Sequence, residues 1–385
     1  MTTQPLLPTG KPVVDRRGMY GVVPPEHRLG VGVVGLHEGH TLVVALQQTG
    51  YCRAVAGCDL RPEKLAAACE AAPELYCTAD YAELLKRPDV DIVAIYTPDA
   101  LHADQILAAF RAGKHVICTK PLINDLSRAP ELLAEARRSG RRLLVGQSTR
   151  FFEPFRRQRA AFERGALGEV EVVDAHYNHR MDWFYEKSPW SLADTDWAFL
   201  GLSHPLDLVR WYLGRIRAVH AFGMHTALGR RHGVLGYDAY VVNLKAEDGR
   251  IGRVFGNYGV TELPRARAHI ECLLMGQLGT SLAKYPDLAF VESGPDGEER
   301  CEDYHHALTG YYFHHQLKGM HFGEFANYAD YFAKAILENT PHSPNLVEGI
   351  ETVCVMQAVC ESAKSGQPVD LGPRLEQAGV AQALG

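Results

Sequence analysis

Residues 29–59 read LGVGVVGLHEGHTLVVALQQTGYCRAVAGCD, two short β-branched runs separated by a segment with helical spacing. The first run, Leu29 to Val34, ends at Gly35, and the second, CRAVAGC, ends at Asp59. Runs this short and this uniformly apolar suit strands buried on both faces, as in a parallel sheet. Gly30, Gly32 and Gly35 satisfy G-x-G-x-x-G formally, but the first two lie inside the strand, whereas a phosphate loop must follow its strand and open the next helix. The turn in that place is Gly35-Leu36-His37-Glu38-Gly39-His40. There His37 and His40 stand where the second and third glycines belong, and Gly39 is out of step. Asp59 comes 24 residues after Gly35 (59 − 35), near the ~20-residue spacing of a carboxylate that holds ribose hydroxyls. Its other reading is a cap for the helix that follows Arg61-Pro62. Arg61 could meet a 2′-phosphate, which keeps NADP open; Asp59 would repel that phosphate, which favours NAD.

Outward from this unit the alternation continues. DIVAIYT, KHVICT and RRLLVGQ are strand-length apolar runs, and ALHADQILAAFRAG and NDLSRAPELLAEARRSG between them have helical spacing and a terminal glycine. After about Arg150 the pattern changes to longer strands, EVEVVDAHYNHRMDW, RAVHAFGMHTAL, DAYVVNLKAEDGRIGRVFGNYG and AHIECLLMG, with a hairpin signal at Glu247–Arg250. Helices are expected at Pro205–Leu213, Glu324–Asn339 and Glu348–Ser365. The expected fold is α/β: an N-terminal Rossmann domain with a doubly wound parallel sheet, then a C-terminal α+β domain with a mostly antiparallel open sheet. The expected boundaries are an arm at 1–28, the dinucleotide domain at 29–150, a substrate and oligomerisation domain at 151–372 and a tail at 373–385.

The chain has 385 residues, over twice a typical ~150-residue domain. A net charge of −6 gives no overall attraction to nucleic acid or to an anionic membrane. No apolar stretch approaches the ~20 residues of a membrane helix. Nine cysteines without a C-x-x-C pair, several inside apolar runs, suggest reduced thiols and a cytoplasmic setting.

The most specific stretch is TPDALHADQILAAFRAGKHVICTKPL, Thr97 to Leu122. It resembles the signature of the glucose–fructose oxidoreductase / inositol dehydrogenase (Gfo/Idh/MocA) family, a T-P-x-x-x-H turn followed about twenty residues later by Lys-Pro. VGQSTRFFEPF, SHPLDLVRWYLG and NLVEGIETVCVMQAVCESAKSGQPV extend the resemblance from Leu29 to Leu371. It implies an NAD(P)-dependent dehydrogenase acting on a secondary hydroxyl of a sugar, sugar derivative or cyclitol, assembled as a homodimer or homotetramer. Lys120 is then the catalytic base and His204 the proton-relay or orienting histidine, with Asp207 structural. Gly35, His37, Glu38, Gly39, Asp59, Arg61, Thr97, Pro98, His102 and Thr119 fall to the cofactor, and Arg150, His179 and Tyr258 to substrate hydroxyls. Lys120 also stands at a parallel strand's carboxyl end, where such sheets bind ligands, and burial there lowers a lysine's pKa.

The chain departs from the family pattern at Thr119, where many members carry Glu before the Lys-Pro, and at Leu200, where many carry Asp; Asp196 is a candidate replacement. Two other readings are a glycoside-cleaving enzyme that retains its NAD and a non-catalytic dinucleotide or sugar sensor. Eighteen histidines raise the question of metal, with His176/His179, His305/His306 and His314/His315/His321 as the clusters. Their spacing matches no metal motif, so no metal is expected. The stretch EDYHHALTGYYFHHQLKGMHFGEF is read instead as the lining of a sugar cleft.

Overall fold

The computed structural model describes residues 20–193, 195–261, 269–286, 288–304, 321 and 323–381. The regular elements begin with β1 (Leu29–Val34), α1 (Gly39–Ala45), β2 (Cys52–Cys58), α2 (Pro62–Ala71), β3 (Tyr76–Thr78) and α3 (Tyr81–Lys86). β4 (Ile92–Ile95), α4 (His102–Arg111), β5 (His115–Thr119), α5 (Ala129–Ser139) and β6 (Leu143–Gly146) continue the alternation. Next come α6 (Glu153–Glu163), β7 (Val170–Asn178), α7 (Asp182–Lys187), α8 (Ser203–Leu213), β8 (Ile216–Met224) and α9 (Ala227–His232). Then follow β9 (Ala239–Ala246), β10 (Ile251–Asn257), β11 (Ile270–Gly276), β12 (Thr280–Tyr285), β13 (Ala289–Ser293) and β14 (Glu299–Asp303). The last are α10 (Glu324–Leu337), α11 (Leu346–Ser365), β15 (Val369–Asp370) and α12 (Gly372–Gln377).

The chain forms two compact units. The first holds the described residues between Pro12 and Phe151 and between Leu308 and Ile350; the second holds those from Phe152 to Ala307 and from Glu351 on. In the first unit six parallel strands run in the order β3-β2-β1-β4-β5-β6. β4 is buried at every position and β1 at all but its first, as a sheet covered on both faces requires. The order reverses direction between β1 and β4, and such a switch point opens a crevice at the carboxyl ends of the strands.

The return of α10 to this unit differs from the contiguous division expected from sequence. Phe325, Tyr328, Ala329, Phe332 and Ala333 share one core with Val31, Val33, Leu42 and Ile92. The Asp330 carboxylate accepts from the amides of Gly50 (2.9 Å) and Tyr51 (2.9 Å), fastening the helix to the turn before β2. Periodicity identifies a helix and its apolar face; it carries no information about which sheet that face will cover.

The second unit is a nine-stranded sheet, β14-β13-β12-β11-β7-β10-β9-β8-β15, antiparallel except for the β7–β10 pair. The hairpin expected at Glu247–Arg250 joins β9 to β10, with the Ala246 amide bonded to the Arg250 carbonyl at 2.9 Å. Helix α8 packs on β7 and β10, and Arg210 ties it to α11 through the Thr352 hydroxyl (2.7 Å) and an ion pair with Glu351. The other face shows Phe222, Val241 and Ile251 to solvent. A concavity on that face is lined by Asp174, His220, Asn243, Lys245 and Arg253 among others, away from any expected catalytic residue. Near the C-terminus β15 pairs with β8, and α12 buries Leu375. Cys69 of α2 and Cys77 of β3 lie side by side, and the other seven cysteines are not disulfide-bonded. Among the described residues no helix is long and apolar enough to cross a membrane.

Candidate functional site

The first unit's site is built on the loops that leave β1, β2, β4 and β5. Gly35 has φ +83°, and a Cβ there would stand 2.6 Å from the Tyr96 carbonyl oxygen, so only glycine makes this turn. Gly39 has the role that its sequence position disguised. A Cβ on it would lie 2.7 Å from Val33 Cγ1, so it provides the close helix–strand packing normally given by the third glycine of a dinucleotide loop. His37 is exposed at the turn, and His40 reaches only the Ala67 carbonyl on the surface, at 3.4 Å. Gly30 and Gly32 lie within β1 in register with β2 and β4.

Asp59 follows β2 directly. Its carboxylate accepts from the Leu36 amide (2.8 Å) and from the Arg61 amide (2.9 Å) and Nε (3.2 Å). Burial works to raise its pKa, but the hydrogen bonds from Arg61 and Leu36 outweigh burial and hold it below the usual carboxylate range. It is not the helix cap, since Arg61 occupies that position of α2. Arg61 is committed to Asp59, whose carboxylate stands where a dinucleotide's ribose would be held.

Lys120 follows β5 and is half-buried. Burial brings its pKa down to about 8, against the opposing pull of the Glu38 and Asp99 carboxylates. Thr97 Oγ1 donates to Gln105 Oε1 at 2.5 Å, Pro98 precedes the 3-10 turn that carries buried Asp99, and Thr119 is the last residue of β5. His102, expected to contact cofactor, is instead buried, with Nδ1 2.9 Å from the Pro121 carbonyl and Nε2 2.9 Å from the Thr97 carbonyl. It joins the loop after β4 to the loop after β5, the loop that carries Lys120.

A residue that the sequence reading assigned elsewhere completes this group. His321, set among possible metal-binding histidines, has Nδ1 2.5 Å from Glu324 Oε1 and Nε2 3.0 Å from Glu38 Oε1. Burial opposes its charged form, but Glu324 and Glu38 override that and push its pKa up to about 10. Spacing gave no signal for it, because Glu38 lies 283 positions away. Arg150, expected at the substrate, is buried in this unit and donates to Ser343 Oγ at 2.9 Å, with Glu348 3.7 Å away.

In the second unit His204 and Asp207 lie on the first turns of α8, both buried. Tyr177, at the end of β7, meets His204 edge-on (5.7 Å between centroids) and also Tyr258 (5.7 Å). Tyr258 is fully buried, stacked on Trp197 at 4.4 Å, and its hydroxyl has no partner among the described residues. His179 lies just past β7 with its ring 4.1 Å from that of His269 and 6.0 Å from exposed Trp183. Leu200 is buried where the family pattern has Asp. Asp196 does not replace it: its carboxylate accepts from the Tyr240 hydroxyl (2.6 Å) and the Ala198 amide (2.8 Å). His176 pairs loosely with Glu271 at 3.8 Å. Among the described residues no three His, Cys, Asp or Glu side chains are grouped to hold a metal ion. His305, His306, His314 and His315, with most of the expected cleft-lining stretch, lie outside the described residues.

Strand order, glycine turn and the acidic end of β2 together define a dinucleotide-binding domain of the Rossmann class. Residues 29–147 match the model described as "Oxidoreductase family, NAD-binding Rossmann fold", and residues 155–280 match the GFO/IDH/MocA C-terminal domain. The chain belongs to the Gfo/Idh/MocA family. It is 30% identical over 278 residues to inositol 2-dehydrogenase of Gluconacetobacter diazotrophicus, covering 69% of this chain and 77% of that protein. It is 30% identical over 226 residues to 1-carboxy-3-chloro-3,4-dihydroxycyclohexa-1,5-diene dehydrogenase of Comamonas testosteroni, covering 57% of this chain and 55% of that protein. With trans-1,2-dihydrobenzene-1,2-diol dehydrogenase of Bos taurus it is 31% identical over 179 residues, 46% and 51% of the two chains. The chain thus matches only about half the length of the latter two relatives. Among solved structures, an oxidoreductase from Agrobacterium radiobacter in complex with NAD+, L-tartaric acid and magnesium superposes with a TM-score of 0.79 at 20% identity, over 90% of this chain and 100% of that one. Levoglucosan dehydrogenase in complex with NADH and levoglucosan gives 0.74 at 21% identity, over 89% and 99%.

Proposed function

We propose that the protein transfers hydride between NAD and a secondary hydroxyl of a sugar, sugar derivative or cyclitol, with Lys120 as the acid–base group. The observation that carries this reading is a half-buried lysine at the carboxyl end of a central parallel strand, with a pKa of about 8 and facing Glu38 and Asp99. A general base works best when its pKa lies near the operating pH, and an ordinary lysine at about 10.4 would stay protonated. The nicotinamide, when bound, supplies the hydride acceptor or donor. Gly35 and Gly39 shape the turn that would receive its phosphates, and Asp59 would hold the adenosine ribose. Lys120 takes the proton from the substrate hydroxyl during oxidation and returns it during reduction. His204 is assigned to orient the substrate oxygen, on its motif and on its place beside Tyr177. His179 and Trp183 offer a polar tip and an aromatic face suited to a ring bearing hydroxyls. Relatives are named as dehydrogenases of inositol and of a dihydrobenzenediol, which supports a hydroxylated ring as substrate.

We further read the exposed face of β8, β9 and β10, where Phe222, Val241 and Ile251 stand in water beside Asn243, Lys245 and Arg253, as the surface of a homo-oligomer. The function is tested by absorbance of reduced nicotinamide with NAD or NADP and a panel of sugars, glycosides, cyclitols and cyclic diols. Turnover with ring polyols and NAD supports the reading. Glycoside cleavage without net NADH, or dinucleotide binding with no turnover at all, overturns it.

A further inference from the structure

Glu38 is an awkward residue where it stands. It occupies the turn between β1 and α1, the place where a dinucleotide's phosphates approach, and its carboxylate also faces the Lys120 ammonium. Left alone, it would repel the one and clamp the other as a permanent cation. The structure holds it on a third group: His321 reaches Glu38 through Nε2 at 3.0 Å and Glu324 through Nδ1 at 2.5 Å. Glu324 is fully buried at the start of α10, and the imidazole packs on the Phe325 ring at 4.5 Å. A ring whose two nitrogens both face carboxylates donates from both, so it is an imidazolium.

We propose that His321 is a positioning residue of this enzyme: held as a cation between Glu38 and Glu324, it anchors the Glu38 carboxylate and so sets the charge that Lys120 experiences. This rests on the reading of Lys120 as the acid–base group. The charged groups at the cluster are Glu38 on the turn before α1, Asp99 after β4, Lys120 after β5, and His321 with Glu324 at the start of α10. Tyr328 of α10, buried and neutral, faces the same Glu38 carboxylate. His102, bonded to the Pro121 carbonyl next to Lys120, is held below the usual histidine range by burial, which outweighs its carbonyl contacts.

The signs follow directly. Removing His321 leaves Glu38 with an undivided charge acting on Lys120, so the lysine holds its proton to higher pH. Removing Glu38 does the opposite. Removing both gives the result of removing Glu38, because His321 acts through it.

The test is the pH profile of kcat/KM for hydroxyl oxidation in His321→Asn, Glu38→Gln and the double variant, read beside histidine NMR of the cofactor-free wild type. The acid limb should move up by about one pH unit in His321→Asn and down by about one in Glu38→Gln, the size expected for one near charge. The double variant should follow Glu38→Gln, and His321→Lys, which restores a cation, should return the limb toward wild type. In the NMR titration the His321 ring should stay protonated beyond pH 8, and in Glu38→Gln it should lose its proton at lower pH. A limb that does not move in His321→Asn, or that moves equally with and without Glu38, overturns the proposal. If His321→Asn does not fold, the NMR decides: a ring that titrates near 6.5 in the wild type overturns the proposal as well. Lys120→Met separates the two readings. If it keeps the acid limb, Lys120 is not the base, and the NMR result for His321 and Glu38 still stands on its own.

Discussion

The backbone amide of Leu36 donates to the Asp59 carboxylate at 2.8 Å, locking the glycine turn after β1 to the end of β2. One bond therefore links the glycine turn to the carboxylate proposed to hold the ribose.

Asp59→Ala breaks that link and removes the acceptor for the ribose. A hydrogen bond to a charged group contributes about 1.5–3 kcal/mol, so NAD should bind about 10–100-fold more weakly. Arg61, released from Asp59, should at the same time narrow the preference for NAD over NADP. Titration calorimetry with both dinucleotides reads this, and an unchanged NAD affinity would remove Asp59 from the site.

Gly35→Ala should destabilise the first unit. At φ +83° an added Cβ is strained whatever the space, and here it would also meet the Tyr96 carbonyl oxygen at 2.6 Å. A loss of about 1–3 kcal/mol is expected, seen as a lower denaturation midpoint in urea. A variant as stable as wild type would show that the turn can take another path.

The proposed assembly surface is open to a direct test. Phe222 and Val241 are paired across β8 and β9 and are 59% and 40% exposed. Replacing both with Lys should shift the mass measured by light scattering from oligomer to monomer while leaving the circular dichroism spectrum unchanged. An unaltered mass would place the interface elsewhere.

How much of this was open to sequence reading depended on distance along the chain. The parallel half was readable because each strand is a short apolar run and each helix carries its own period, so β1 to β6 follow from local patterns. The true phosphate turn could be told from the Gly30–Gly35 decoy because strand and helix bracket it. The purpose of Gly39 was hidden, since its partner Val33 is a contact in space and not a spacing in a motif. The return of α10 to the first unit, and the pairing of His321 with Glu38, join segments nearly three hundred residues apart. No periodicity encodes such contacts. Asp196 misled for a related reason: a carboxylate near His204 in sequence was satisfied by Tyr240, which only β9 brings to it.

The central claim is that Lys120 moves the proton. A base must be neutral to accept one, so oxidation should be slow at pH 6, rise through a pH near 8 and level off above it. Reduction, which needs the protonated lysine, should fall over the same range. The most direct measurement is the pH dependence of kcat for Lys120→Met beside wild type, at saturating NAD with the best substrate of the panel. The account predicts a loss of about 10²–10⁴-fold in kcat together with disappearance of the limb near pH 8. A variant that keeps both the rate and the limb would contradict it.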